Sequence, residues 1–258
     1  MRLLTWNIHK GIGSLDRRYD FKRIIDVIDH YQPDVVTMQE VDQGVPRSRG
    51  DDQTQLLASV IGYPYYIFGA NVDLKQGRYG NATLSRFPIR HWQNIDLTFT
   101  GKKSRGALYT ELTVPQHGRR LTVHVVNIHL GLSGMERRWQ IRRLLESDDI
   151  IHLDSGSRMI VSGDTNDWSG ALVRGRLRQM GFRCATGTGA RASLTFPSWG
   201  PVGALDRVLV RGALAEFHHT RARLSLASSA SDHLPVVIDM DVVPMSKADV
   251  GNDAPVVG

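Results

Sequence analysis

The chain has 258 residues, 41% hydrophobic and 22% charged, an ordinary globular balance at a length that suits one large or two small domains. It shows no fixed-period repeat and no apolar run near the roughly 18 residues of a membrane helix, which excludes a solenoid and a helical membrane span. The formal charge of +6 favours anionic partners such as nucleic acid, phosphorylated metabolites or anionic headgroups, although an Arg-rich bias in a soluble protein accounts for it equally well.

Residues 3–9 predict a strand. Phe21, Ile24, Ile25 and Ile28 are spaced for one helix face, and that helix ends before Pro33. Residues 34–41 form a short apolar run suited to a buried strand, and 53–61 a second helix stopped by Gly62 and Pro64. From Tyr65 the chain is rich in β-formers, with strands predicted at 65–70, 82–86, 89–98, 106–114 and 121–130 and a hairpin tip at His117-Gly118. Residues 135–151 carry the longest helical pattern, with Arg138 and Arg142 sharing a face that is either solvated or tracks a phosphate backbone. A strand at 159–163 and a helix at 171–180 follow, and the part after Cys184 is again mostly strand. Residues 187–192 fit a loose dinucleotide-binding pattern but open no βαβ unit, so they read as a flexible loop. The single cysteine, Cys184, rules out an internal disulfide and reads as a small buried apolar residue. With no signal-peptide pattern at the start, a cytoplasmic location is expected. Residues 1–243 are expected to form a single domain and 244–258 a disordered tail. The element order suits two β-sheets packed face to face with helices outside.

Six polar clusters lie at the edges of these strand-like runs, where a sheet can gather side chains far apart in sequence. They are Thr5-Trp6-Asn7-Ile8-His9, Gln39-Glu40, Asn127-Ile128-His129-Leu130, Gly163-Asp164-Thr165-Asn166-Asp167-Trp168, Leu205-Asp206-Arg207-Val208 and Ser231-Asp232-His233-Leu234-Pro235. Two further segments, Gly80 to Pro88 and Ser104 to Leu108, belong with them. In this order the set resembles the endonuclease/exonuclease/phosphatase superfamily, and is similar to its small, uncharacterised bacterial branch. The resemblance covers residues 3–243. It implies an α/β fold, a four-layer αββα sandwich with the active site at one end between the sheets.

The same resemblance implies roles for particular residues. Glu40 is expected to ligate Mg²⁺ or Mn²⁺, with Asn7 beside it and Asp232 sharing or approaching the metal. A lone strand-end carboxylate with water in the other positions suits Mg²⁺, which keeps much of its hydration; read alone, Glu40 equally suits a surface salt bridge. Asp164 is expected to orient or deprotonate the attacking water, and Asn166 to hydrogen-bond the phosphate. In an extended segment these two point the same way; an Asx-turn into the next helix, capped by Asp167, is the alternative. His233 is expected at the scissile phosphate, with Asp206 accepting its other ring N–H and favouring the charged form. On local sequence alone, Asp206 equally suits a salt bridge to Arg207. His129 is the second family histidine. The glutamate that accompanies it in deoxyribonuclease-type members has no counterpart at residues 79–81, so another group orients it or its role is reduced. His9 stands where several members carry an aspartate, leaving phosphate contact, metal tuning or no role open. Asn81, Arg105 and Asn127 complete the expected substrate-binding set, Arg105 as a bidentate phosphate clamp or a solvated loop residue.

The implied activity is metal-dependent phosphodiester hydrolysis by direct attack of water, with inversion at phosphorus. The expected substrate is a phosphodiester, nucleic acid among the candidates, and the expected state is a monomer without stable membrane insertion. Phospholipase C- or sphingomyelinase-like lipid hydrolysis, phosphatase action and a non-catalytic binding module are the rivals.

Overall fold

In the computed structural model, alternation along the first strand already divides the molecule into layers. Residues 1–116, 118–221 and 224–244 are described. In β1 (Arg2–Asn7), Leu4 and Trp6 pack against helices, whereas Leu3 faces the opposite sheet, the two-residue periodicity of a strand covered on both faces. Helix α1 (Phe21–Tyr31) presents Phe21, Ile24, Val27 and Ile28 to that outer core. Strand β2 (Val35–Gln43) runs parallel to β1, the pairing that a helical crossover permits. Helix α2 (Gln53–Ile61) begins at Asp52, whose carboxylate accepts the Gln55 N–H, and ends at Gly62 in the left-handed conformation.

Strands β3 (Tyr65–Asp73) and β4 (Arg78–Ser85) pair as a hairpin and extend the first sheet. Strands β5 (Ile89–Asp96), β6 (Gly106–Gln116) and β7 (Arg119–His129) form an antiparallel meander that starts the second. The expected hairpin tip falls between β6 and β7, with Gln116 paired to Arg119; His117 itself lies outside the described residues. Helix α3 (Gly134–Leu145) is followed by the single turn α4 (Asp148–Ile151), then β8 (Met159–Asp164), parallel to β7. The short helices α5 (Ala171–Arg174) and α6 (Arg176–Gln179) precede β9 (Arg183–Cys184) and β10 (Asp206–Arg211). Strand β11 (Leu214–Arg221), helix α7 (Ser225–Ala230) and β12 (Val236–Val242) return the chain to the first sheet.

Among the described residues the sheets run β11-β12-β1-β2-β4-β3 and β5-β6-β7-β8-β10-β9. One core lies between α1, α2, α7 and the first sheet; a second lies between the sheets, with Leu3, Val125, Ile160, Val208 and Ile238; a third lies under α3 to α6. The expected αββα sandwich is therefore present. No helix among the described residues is long and apolar enough to cross a membrane.

Three local expectations change. The helix expected at 135–151 is interrupted at Glu146-Ser147, where Ser147 takes an extended conformation and starts α4. The helix expected at 171–180 breaks at Gly175, whose backbone (φ −95°, ψ −120°) is not helical. Cys184 is half-buried rather than buried, its Sγ 3.3 Å from the Thr186 hydroxyl and the Gly187 carbonyl. Of the expected tail, residues 245–258 lie outside the described residues.

Candidate active site

The parallel pairs β1–β2 and β7–β8 set Asn7 opposite Gln39 and His129 opposite Asp164, so the polar ends of four strands meet at one end of the sandwich. Glycine is needed for this at Gly163. Its φ of 137° disfavours side-chain-bearing residues, and a Cβ there would stand 2.0 Å from the Ile128 carbonyl oxygen. Glycine lets β8 lie against β7 and aim Asp164 into the cleft.

Asp164 is the hub. Its Oδ2 accepts a 3.1 Å hydrogen bond from Asn7 Nδ2 and lies 3.6 Å from His129 Nε2 and 3.7 Å from His233 Nε2. Its Oδ1 accepts the Asn166 N–H at 2.9 Å. That last contact corrects one expectation. Asn166 is not extended but left-handed (φ 50°), so an Asx-type turn rather than strand pleat brings it to Asp164. Its Nδ2 donates to the Leu130 carbonyl, which uses one amide donor for structure. Asp167 Oδ2 accepts the Leu172 N–H in the first turn of α5, although the N-cap position itself is Gly170 rather than the expected Asp167.

The two histidines beside Asp164 differ in charge. His233 Nδ1 bonds Asp206 Oδ2 at 2.8 Å. Burial disfavours its cation, but Asp206, Asp164 and Asp232 outweigh burial and push the ring up to about 10, so it is an imidazolium at neutral pH. Asp206 is fully buried, and its Oδ2 also accepts from the Thr195 hydroxyl. Arg207 donates instead to the Gly187 carbonyl, which removes the alternative of an Asp206–Arg207 pair. Trp6 Nε1 donates to the His233 carbonyl, and the Phe196 ring lies 4.8 Å from the imidazole. His129, by contrast, is pushed down to about 4 by burial and then by the Arg105 guanidinium, against Asp164 and Glu40, and is neutral.

Glu40 sits at a β-bulge in β2, with left-handed backbone (φ 57°) that turns it out of the ladder. Burial works against its charge, but His129 (protonated at the low pH where this carboxyl titrates), Lys10 and His9 hold the carboxyl down at about 2, so it is anionic at neutral pH. The ammonium of Lys10 rests on its Oε2. His9 donates its backbone N–H to Asn7 Oδ1; its Nδ1 bonds the Ile12 carbonyl and lies 4.0 Å from Asp232 Oδ1.

A divalent cation can be tested against these donors. Among the described residues no three His, Cys, Asp or Glu side chains converge at metal-ligating distance. The expected holders are two carboxylates, Glu40 and Asp232, with the Asn7 amide oxygen, which already accepts the His9 N–H. Such a sparse oxygen set does not fit Zn²⁺, but it fits Mg²⁺ or Mn²⁺ that retains waters, and Glu40 already holds a cation in the Lys10 ammonium.

Two expected substrate contacts are relocated by the fold. Asn127 is fully buried between the sheets, donating to the Met38 and Ala82 carbonyls and accepting from Gln39. Asn81 is fully buried and donates to the Gly106 carbonyl. Both tie the sheets together behind the site instead of facing a ligand. Arg105 stays at the site, with a buried Nε that has no hydrogen-bond partner. Lys10, on Glu40, Thr195, on Asp206, and Phe196, on His233, also belong to the site and lie outside the six motifs. Lys10 is adjacent to a motif histidine, the one signal available; Thr195 and Phe196 carry none.

Comparison with known proteins agrees with this fold. Residues 4–233 match the model of the Endonuclease/Exonuclease/phosphatase family. The chain is 32% identical over 243 residues to the uncharacterized protein YbhP of Escherichia coli K12, covering 91% of this chain and 94% of that protein. Among solved structures, an endonuclease/exonuclease/phosphatase from Beutenbergia cavernae superposes with a TM-score of 0.75 at 24% identity, over 94% of this chain and 71% of that one. Humanized Danio rerio TDP2 gives 0.66 at 18% identity, over 93% and 98% of the two chains. Both likenesses are of fold.

Proposed function

The chain belongs to the endonuclease/exonuclease/phosphatase family, and from that membership we propose that it is a Mg²⁺- or Mn²⁺-dependent phosphodiesterase that hydrolyses its substrate by direct attack of water. One observation carries the reading: a neutral His129 and a cationic His233 flank the same oxygen of Asp164. A phosphodiester needs both a group that accepts the proton of water and a fixed cation for the charge that grows on phosphorus. Asp164 and neutral His129 supply acceptors. His233, held charged by Asp206, supplies the cation. Asn7 fixes the Asp164 carboxylate by its 3.1 Å bond. A divalent ion at Glu40 would supply Lewis-acid charge to the phosphoryl oxygens. Water adds to phosphorus, the P–O bond to the leaving alcohol breaks, and that alkoxide takes up a proton. No side chain needs to bond phosphorus, so the reaction inverts configuration.

The net charge of +6 supports a polyanionic substrate such as nucleic acid. The lipid reading has its own support: Leu132, Trp168, Trp199 and Val202 are all exposed, and Trp168 packs on Phe196 beside His233. Vesicle binding that depends on Trp199 would favour it.

The deciding assay is turnover of bis-p-nitrophenyl phosphate and p-nitrophenyl phosphate with Mg²⁺, Mn²⁺ or EDTA, for the wild type and Asp164→Ala. Diester turnover that requires metal and is lost in Asp164→Ala is expected. Turnover of the monoester alone would make the protein a phosphatase, and diester turnover undiminished in EDTA would remove the metal from the proposal.

A further inference from the structure

Beside Glu40 the two sheets leave an open pocket of about 480 Å³, and its walls are strongly basic. Lys10 and Arg47 enter from the short 3-10 turns that follow β1 and β2; Lys102, Lys103 and Arg105 enter from the loop between β5 and β6. Tyr79 forms an aromatic wall, with Lys10 Nζ 5.8 Å and the Arg47 guanidinium 5.5 Å from its ring centre. Burial, and then the Glu40 carboxylate, push its phenol up, so it keeps its proton and remains a donor.

These cations are unequally matched. Lys10 is used by Glu40, and Arg47 by the buried Asp42, which accepts from both its Nε and Nη2. Lys102, Lys103 and Arg105 have no carboxylate partner among the described residues, and the Arg105 Nε is buried without a hydrogen bond. A protein gains nothing in the free state by gathering unpaired cations, one of them desolvated, around a cavity. The arrangement becomes favourable when an anion arrives, and a planar guanidinium with flexible ammonium groups is the donor set that phosphate oxygens satisfy. Glu40 and Arg105 border this pocket and also adjoin the hydrolytic centre, so one molecule can reach both.

We propose that this pocket binds a second, non-scissile phosphoryl group of the substrate. The substrate is then at least a bisphosphate: a phosphodiester with another phosphate one short linker away. This rests on the phosphodiesterase reading above and narrows it, because a zwitterionic headgroup with one phosphate leaves the pocket unsatisfied. A polynucleotide and a phosphorylated polyol headgroup both present that chemistry.

The test measures binding, by calorimetry with the full chain in EDTA, so that it does not depend on turnover. The probes are the dinucleotide thymidylyl-thymidine, plain or with a 5′- or 3′-phosphate, and glycerophosphoinositol with and without a 4-phosphate. In at least one series the added phosphate is expected to tighten binding about tenfold, the equivalent of one charge-assisted contact; the responding series identifies the source. In Lys102→Glu/Lys103→Glu, at two exposed positions where folding is little perturbed, the advantage is expected to vanish. Lys102→Ala/Lys103→Ala should give an intermediate loss. Equal affinities with and without the added phosphate, no binding of any phosphorylated probe at millimolar concentration, or an advantage that survives charge reversal would each overturn the proposal. Hydrolysis of bis-p-nitrophenyl phosphate, which has one phosphate, reports separately on the phosphodiesterase reading, so either can fail without the other.

Discussion

At the scale of single residues, the site separates two imidazoles by their surroundings alone. His233 has a buried carboxylate on Nδ1; His129 has a guanidinium nearby and no carboxylate in hydrogen-bonding contact. If His233 must be charged and His129 neutral, kcat/KM should fall below pH about 4 and above pH about 10. Asp206→Asn keeps an acceptor for the Nδ1 proton and for the Thr195 hydroxyl while removing the charge. The alkaline limb should then move down toward the ordinary 6.5 of imidazole, with kcat lower by roughly 10²-fold at neutral pH. An unmoved limb would mean that His233 is not the group it reports. The residue types were legible because strand-end motifs name them: Asn7, Glu40, His129, Asp164, Asp206 and His233 all meet. Which neighbours they meet was not. The Lys10–Glu40 pair depends on a left-handed bulge, and Asn81 and Asn127 looked like ligand contacts because sequence does not say that a strand-end amide is closed over by the facing sheet.

At the scale of elements, period and stop signals located most strands and the first two helices; α2 matches its expected limits at both ends because Asp52 and Gly62 cap it. The breaks in the two later helices come from one residue each. Ser147 followed by two aspartates is a helix-start signal within a helical pattern, and Gly175 pays little to leave helical space. Helix α7 carries no sequence signal, because Ser225 to Ala230 has small residues and no apolar period, yet it buries Ala227 and Ala230 against α1. The element on which the chemistry depends most is the β8 terminus. Gly163→Ala is expected to lower the unfolding free energy by about 1–3 kcal/mol through its backbone alone. The clash with the Ile128 carbonyl adds to that and displaces Asp164. Denaturant midpoints together with kcat test this: both should fall, and a variant with wild-type stability and activity would show that β8 tolerates a Cβ there.

For the whole molecule, the same buried charges fix how stability depends on pH, because each titrates differently folded and unfolded. Glu40 has its pKa depressed from 4.5 to about 2, so its contribution is present above 4.5 and is lost as pH falls toward 2. His129 is depressed from 6.5 to about 4. The folded state resists a proton that the unfolded chain accepts, so stability falls as pH drops from 6.5 to 4. His233 is raised from 6.5 to about 10, so its contribution is complete below 6.5 and is lost as pH rises toward 10. The acid flank therefore has two groups and the alkaline flank one, and they meet near 6.5. Thermal unfolding without metal should show its highest Tm near that pH, with the larger total decline on the acid side, spread in sequence over His129 and then Glu40. His129→Gln should flatten the decline between pH 6.5 and 4 and leave the alkaline flank unchanged, whereas Asp206→Asn should flatten the alkaline flank. A Tm maximum above pH 8, or an acid flank indifferent to His129, would place the controlling charges outside this cleft. A divalent ion bound at Glu40 should raise Tm by mass action only above the pH at which that carboxyl is ionised, so metal-induced stabilisation should disappear as pH falls toward 2.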